Sequence, residues 1–183
     1  EVWSLIGANA VIALGYGVVA PVLPQLARHF GVSISAATFV ITAFAVMRLL
    51  AAPPAGMLIS RLGERKIYVS GVLIVALSTA ACAVAQTYWQ LLTFRALGGI
   101  GSTMFFVSAL GLMIRMSPHN ARGRVAGMFS GAFLVGSVAG PIVGSLTAGL
   151  GLSAPFVIYG VLLLIAATVV LVSLRHSPLA APA

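Results

Sequence analysis

The sequence has 183 residues, of which 61% are hydrophobic and only 7% are charged, and its mean hydropathy is +1.14. This composition leaves too little polar surface to cover a soluble domain of this size, so we exclude a soluble globular protein. A formal charge of +8 would suggest nucleic acid in a soluble protein, but the cations lie mostly between hydrophobic runs, and we therefore expect no nucleic-acid partner.

Six long apolar runs fill most of the chain. Each has about the 20 residues that an α-helix needs to cross a hydrocarbon core about 30 Å thick, and a helix satisfies its own backbone hydrogen bonds in lipid. We therefore predict an all-α integral membrane protein with six transmembrane helices in contact with membrane lipid. The runs cover residues 3–26, 35–59, 67–85, 90–114, 125–148 and 154–174.

Basic residues in the gaps predict how the chain is oriented. Seven Lys and Arg residues lie on one side of the predicted membrane, whereas only Arg28 lies on the other side. Because cytoplasmic segments carry the excess of Lys and Arg, we expect a multi-pass protein of the cell membrane, the inner membrane of a bacterium, with both termini in the cytoplasm. The seven cations are Arg61, Arg65, Lys66, Arg115, Arg122, Arg124 and Arg175.

Polar side chains in the first two runs are candidates for a solute path. Asn9 and Tyr16 lie two turns apart on one face of the first helix, where they either line a cavity or serve packing. Arg48 lies in the middle of the second run, which costs about 2.5–3.5 kcal/mol on insertion scales, and no run contains an acid. Its partner is therefore an anionic group in a central cavity, a carbonyl at a helix C-terminus, or a carboxylate from elsewhere.

A weak internal repeat divides the chain in two. Pro53 and Gly56 near the end of the second run match Pro141 and Gly144 near the end of the fifth, 88 residues later. Since three spans is an odd number, the second triplet enters the membrane from the opposite side, as in inverted-repeat transporters. We expect one bundle over residues 1–176, with repeats at about 1–87 and 88–176, and the start of a cytoplasmic linker or tail at 177–183.

The gap after the second run carries the most specific motif. Residues 56–66 read Gly-Met-Leu-Ile-Ser-Arg-Leu-Gly-Glu-Arg-Lys, which resembles the signature loop of the major facilitator superfamily. The resemblance implies a cytoplasmic gating loop in which glycine permits a tight turn. Ser60 stands where the family has Asp, which puts the strength of gating in doubt, and Glu64 is not expected to replace that acid. The motif positions are Gly56, Ser60, Arg61, Gly63, Arg65 and Lys66.

The fourth run is similar to the fourth helix of the same family. Arg95 precedes a group of closely spaced small residues, although Gly98 replaces the commoner Gln. Arg95, Ser102 and Phe106 lie within about 20° of one helical face, and we expect that face to line the substrate path. The alternative is that Arg95 lies near the outer surface and extends its long side chain to it.

The fifth run resembles the family's antiporter signature, Gly-x-x-x-Gly-Pro-x-x-Gly. Gly136, Gly140 and Gly144 recur at every fourth residue and form a flat ridge that another helix can approach closely, while Pro141 removes one backbone hydrogen bond and favours a kink. We expect a close, bent contact that forms a seal opening in one transport state. The alternative is generic packing of small residues.

The resemblance covers the whole chain, but only as one half of the usual twelve-helix unit. It implies a secondary active transporter that works by alternating access, with proton-coupled antiport or efflux of small drug-like compounds. A second six-helix half is then required, in the same chain, in a separate chain or in a homodimer. Glu1, Glu64 and the three His residues lie outside the runs or at their ends, so we expect the group that carries the proton in that second half.

Other function classes remain as alternatives. One is a facilitator or symporter for an anionic small solute, held by the intramembrane arginines, and another is a non-transporting six-helix assembly module. We expect no enzyme, because a Ser nucleophile needs a base such as His within reach and no His lies inside a run. We likewise expect no cofactor and no metal.

Overall fold

The computed structural model describes residues 2–147, 149, 151 and 153–174. Within those residues the chain forms seven α-helices and no strand. The predicted tail at 177–183, the cation Arg175 and the acid Glu1 lie outside the described residues. The helices are α1 (Val2–Val19), α2 (Leu23–His29), α3 (Ile34–Leu62), α4 (Glu64–Ala83), α5 (Tyr88–Met116), α6 (Arg122–Thr147) and α7 (Ala154–Leu174).

Five described segments are long and apolar enough to cross a membrane: Leu5–His29, Ile34–Leu62, Glu64–Ala83, Tyr88–Met116 and Arg122–Leu146. The sixth, α7, has 21 residues, and its shorter stretch Ala154–Val169 is also apolar. Each apolar run of the sequence thus corresponds to a helical span. The prediction of an all-α membrane protein with six spans is confirmed.

The first span is not one helix, as the run of residues 3–26 predicts, but two. α1 ends at Val19 and α2 begins at Leu23, with Pro21 in the connection and Pro24 in the first turn of α2. Proline has no backbone N–H and its ring clashes with the preceding turn, so regular α-helical hydrogen bonding stops here. The N–H of Val22 instead donates to the carbonyl of Val19 at 3.1 Å.

The predicted loop after the second run is also largely helical. Pro53 and Pro54 lie inside α3, which continues to Leu62, so Gly56, Ser60 and Arg61 are helical residues and Arg65 and Lys66 already belong to α4. The connection is the single residue Gly63, at φ +84°. Only glycine adopts this conformation without a steric penalty, and it reverses the chain within one residue. The prediction of a longer gating loop is therefore wrong in extent.

The helices pack in pairs that cross between the two halves of the sequence. Each span of the first half packs mainly against spans of the second half: α1 against α6 and α7, α3 against α5, and α4 against α5 and α7. Exchanging the three spans of the first half with those of the second (α1 with α5, α3 with α6, α4 with α7) leaves this set of pairs unchanged. A fold built from two three-helix repeats has this symmetry.

The basic residues collect at one end of the bundle, which we call the basic end. α1 and α6 begin there side by side, and Trp3 and Arg124 line one shallow groove. α5 ends there, and its Arg115 contacts Glu64 at the beginning of α4. The α2–α3 and α4–α5 connections therefore lie at the opposite end, next to Arg28.

Candidate functional site

Two arginines and three aromatic rings lie close together between α1, α3 and α5, and we call them the arginine–aromatic cluster. α1 contributes one ring, α3 contributes one ring and one arginine, and α5 contributes one ring and one arginine. The members are Tyr16, Phe44, Arg48, Arg95 and Phe106.

Arg95 is the most buried charge of the cluster. The residue is only 4% exposed. Its guanidinium carbon lies 4.2 Å from the Phe44 ring centroid and 5.7 Å from that of Tyr16. The positive charge faces the electron-rich ring surfaces, which attract cations. The alternative that Arg95 extends to the outer membrane surface is therefore wrong, because the side chain turns into the protein.

Arg48 approaches the same ring from α3. Its guanidinium carbon lies 6.0 Å from the Phe44 ring centroid and 5.8 Å from that of Phe106, and the residue is half-buried. The hydroxyl of Thr103 on α5 donates to its backbone carbonyl at 2.9 Å, which places Arg48 level with the middle of α5. Neither a helix-terminal carbonyl nor a carboxylate contacts its guanidinium among the described residues.

Phe44 is the ring that joins both arginines, and it does not stand out in the sequence. It is buried and stacks against Tyr16 with ring centroids 5.6 Å apart. The spacing of Phe44 and Arg48, four residues apart on one helix, could have indicated their contact. Arg95 is 51 residues away along the chain, so no local pattern connects it with Phe44.

The remaining residues of the predicted path divide between the cluster and packing. Phe106 joins the cluster and also contacts the rings of Phe129 and Phe133 on α6, at 5.2 and 6.0 Å. Asn9 is fully buried, and its amide donates to the carbonyl of Phe129 at 2.8 Å, which ties α1 to α6 and does not bring Asn9 to the arginines. Ser102 is half-buried on α5.

The glycine ridge of α6 packs against α1. A Cβ atom on Gly140 would collide with the Cα atom of Gly17, and one on Gly136 would lie 2.7 Å from the carbonyl oxygen of Ala10. A Cβ on Gly144 would lie 2.7 Å from the carbonyl oxygen of Val18. The two backbones are therefore in direct contact, inside one bundle, and α6 continues through Pro141 without a break.

Glu64 is the single acid among the described residues, and it is paired far from the cluster. The guanidinium of Arg115 donates to both carboxylate oxygens of Glu64, at 3.0 and 2.7 Å, and Glu64 is 8% exposed. The ion pair ties the beginning of α4 to the last turn of α5 at the basic end. Glu64 thus lies within a span and is buried, unlike the predicted loop position, and it leaves the arginines of the cluster unpaired.

We expect Glu64→Gln to destabilise the bundle by about 1–2 kcal/mol, because it leaves a partly buried guanidinium without its counter-charge. Thermal unfolding in detergent measures this loss. The double exchange Glu64→Arg with Arg115→Glu should restore most of it, since the pair is reformed with the charges reversed. Arg61→Gln, at an exposed cation near the same turn, is the control and should leave the melting temperature unchanged. A double exchange less stable than Glu64→Arg alone or Arg115→Glu alone would contradict the pairing.

Apolar helices that carry arginines without a carboxylate partner among the described residues define a class of protein. Charges inside a membrane span are costly and mark paths for solutes or ions, and repeated three-helix units are typical of secondary transporters. Residues 5–183 match the family model of the Major Facilitator Superfamily. The chain belongs to this superfamily and is a multi-pass membrane protein with its helical fold.

Two curated relatives give the scale of the complete protein. The chain is 28% identical over 178 residues to Multidrug resistance protein 2 of Bacillus subtilis (strain 168), which covers 96% of the chain and 44% of the relative. It is 29% identical over 168 residues to Quinolone resistance protein NorA of Staphylococcus aureus (strain MRSA252), covering 92% of the chain and 43% of the relative. The chain thus spans less than half the length of these relatives.

A solved structure shares the fold. The crystal structure of the peptide transporter POT in complex with alafosfalin superimposes with a TM-score of 0.88 over 100% of the chain and 40% of the transporter, at 15% sequence identity. Similarity at this level of identity reports the arrangement of the helices alone. The six spans correspond to one half of such a transporter.

Proposed function

We propose that the chain is one half of a secondary active transporter that exports small drug-like compounds by alternating access. The arginine–aromatic cluster carries this proposal, because it combines charge and flat apolar surface away from the ends of three spans, and transporters of this architecture bind their solutes near the middle of the membrane. The names of the curated relatives, a multidrug and a quinolone resistance protein, support efflux as the direction. The membrane is then the bacterial inner membrane, with the basic end and both termini in the cytoplasm.

A second six-helix half completes the path in this proposal. In the apolar windows of α3 and α6, only 22% and 17% of the residues are buried, against 50–56% in the first span, α4 and α5. α3 and α6 are also the middle spans of the two repeats, and α3 carries Arg48 of the cluster. We infer that the second half covers these two helices, so that the cluster faces the space between the two halves.

Proton coupling assigns a further task to the second half. A proton-driven exporter needs a group that changes protonation during its cycle, usually a carboxylate or His in the membrane. Among the described residues the one acid, Glu64, is held by Arg115 at the basic end, and no carboxylate contacts the cluster. We therefore place the proton-carrying group in the second half, and the basic end, with Ser60, Arg61, Gly63, Arg65 and Lys66, at the cytoplasmic gate.

Transport measurements test the proposed function directly. The full-length protein, reconstituted into proteoliposomes, should move aromatic amphiphiles against their gradient when a pH gradient is imposed, and the movement should stop when a protonophore removes that gradient. Facilitated movement that equilibrates each compound and ignores the pH gradient would contradict antiport. An absence of movement for amphiphiles of every charge would contradict the proposal as a whole.

Assembly through a second half, rather than through two copies of this one, has its own expected result. After Cys82, the one cysteine of the sequence, is replaced by Ala, new cysteines at Val46 on α3 or Val138 on α6 should give no more self-cross-linking in native membranes than a cysteine at Leu77 on α4. All three positions are exposed on this half, so a difference in self-cross-linking reports which face meets a second copy. Efficient cross-linking confined to Val46 and Val138 would instead indicate a homodimer.

A further inference from the structure

We propose that the arginine–aromatic cluster binds an aromatic organic anion, with its carboxylate on Arg48 and Arg95 and its ring against Tyr16 and Phe106. This inference rests on the proposed function, because it assumes that the cluster faces the solute path. It goes further by assigning the charge and the shape of the preferred substrate.

The first argument is the charge of the cluster. Both guanidinium carbons lie within 6.0 Å of the Phe44 ring centroid, so they are at most about 10 Å apart, and at an effective dielectric constant of about 20 they repel each other by about 2 kcal/mol. No carboxylate among the described residues compensates them, since Glu64 is bound to Arg115. A negative ligand removes this repulsion, whereas a cationic ligand increases it.

The second argument is the number of unused hydrogen-bond donors. Arg95 is 4% exposed, and its buried Nε atom has no partner. A buried donor without an acceptor costs about 1–3 kcal/mol, and the cost is recovered when an acceptor arrives. The guanidinium is a planar fork that matches the two oxygens of a carboxylate. The Arg48 guanidinium faces the rings of Phe44 and Phe106, and no carboxylate contacts it among the described residues.

The third argument is the arrangement of the rings. Phe44 is buried and contacts both arginines, whereas Tyr16 and Phe106 are half-buried and so retain some exposed surface. A small inorganic anion would satisfy the arginines but would leave these two ring surfaces uncovered. An aromatic ring next to the carboxylate covers them and gains stacking contacts. The cluster therefore fits a flat anion better than a simple ion.

Binding of three naphthalene compounds of one shape and different charge tests the inference. The full-length protein in detergent should bind 2-naphthoate more tightly than neutral 2-naphthamide, and cationic 2-naphthylmethylammonium most weakly. Arg48→Gln and Arg95→Gln should each lower the affinity for 2-naphthoate by about tenfold or more and that for 2-naphthamide by less than about twofold. Arg95→Lys keeps the charge without the fork and should give an intermediate loss. Arg28→Gln, at an exposed arginine of the opposite end, should change neither affinity.

Several results would overturn the inference. They are equal affinity for the three compounds, a preference for the ammonium compound, or equal losses for 2-naphthoate and 2-naphthamide in the glutamine variants. A carboxylate of the second half that occupied Arg95 would give the first or second of these results. Transport of 2-naphthamide without binding of 2-naphthoate leaves the proposed function standing and overturns this inference. Binding of 2-naphthoate without transport of any compound supports this inference and overturns the proposed function.

Discussion

Gly140→Leu is expected to prevent the bundle from packing. A Cβ atom at this position already collides with the backbone of Gly17, and it would also lie 2.6 Å from the carbonyl oxygen of Leu14. Backbone atoms cannot move aside as a flexible side chain can, so a leucine must separate α1 from α6, at a cost of about 3 kcal/mol or more. We expect a large loss of monodisperse protein in detergent and a lower melting temperature, with Gly140→Ala showing a smaller loss of the same kind.

Gly127→Leu on the same helix is the matched control. Gly127 is exposed, and a Cβ atom there meets nothing within 4 Å. Leucine also favours the helix over glycine, by somewhat less than the ~0.8–1 kcal/mol that separates alanine from glycine, so within this half the variant should be at least as stable as the parent. If Gly140→Leu matched Gly127→Leu in yield and melting temperature, the direct backbone contact between α1 and α6 would be wrong.

Replacement of Arg95 should separate transport from stability. Arg95→Met removes a buried charge that has no counter-ion and fills nearly the same volume. We therefore expect the free energy of unfolding to stay equal or to rise by up to about 1–3 kcal/mol, and the melting temperature to follow it. Transport should fall at least about tenfold, because the cluster loses its most buried charge. Initial transport rates in proteoliposomes and thermal unfolding of the same preparation measure the two effects.

Two further variants complete this test. Leu97→Met, at an exposed position two residues further along α5, should leave both transport and stability unchanged. Arg95→Lys should keep the protein folded and transport poorly, since the ammonium group cannot make the planar, multiple hydrogen bonds of a guanidinium. Normal transport by Arg95→Met would remove Arg95 from the substrate path. A collapse in stability would show that its role is structural.

The sequence predicts the spans well because hydropathy is a local property. Each apolar run reports the solvent around about 20 residues, and the runs match the helices even at α7, predicted and observed at 154–174. Helix ends are harder to predict. The first run gives no sign of the break at Pro21. The pattern at 56–66 resembles a loop although most of it is helical, since α3 continues past Pro53 and Pro54 to Leu62.

The candidate site is harder to predict because it is made by contacts between distant parts of the chain. The insertion cost of a charge marks Arg48 and Arg95 from sequence alone, and the face shared by Arg95 and Phe106 is visible from helical spacing. The central ring, Phe44, is one of nine phenylalanines in an apolar sequence and carries no local signal. The partner of Glu64 is equally hidden, since Arg115 lies 51 residues further along the chain.

The crossed packing of the two repeats has a consequence for biosynthesis. As the nascent chain leaves the ribosome, α1, α3 and α4 enter the membrane before any of their main partners has been made. α3 and α4 gain their main partner only when α5 is inserted, and α1 gains its main partner only with α6. The first three spans therefore lie in lipid, or at the translocon, while Asn9 of α1 still lacks the carbonyl of Phe129 that its amide later binds. Arg48 enters the bilayer before the ring of Phe106 has been made, so its charge is inserted without one of the two rings that later contact its guanidinium.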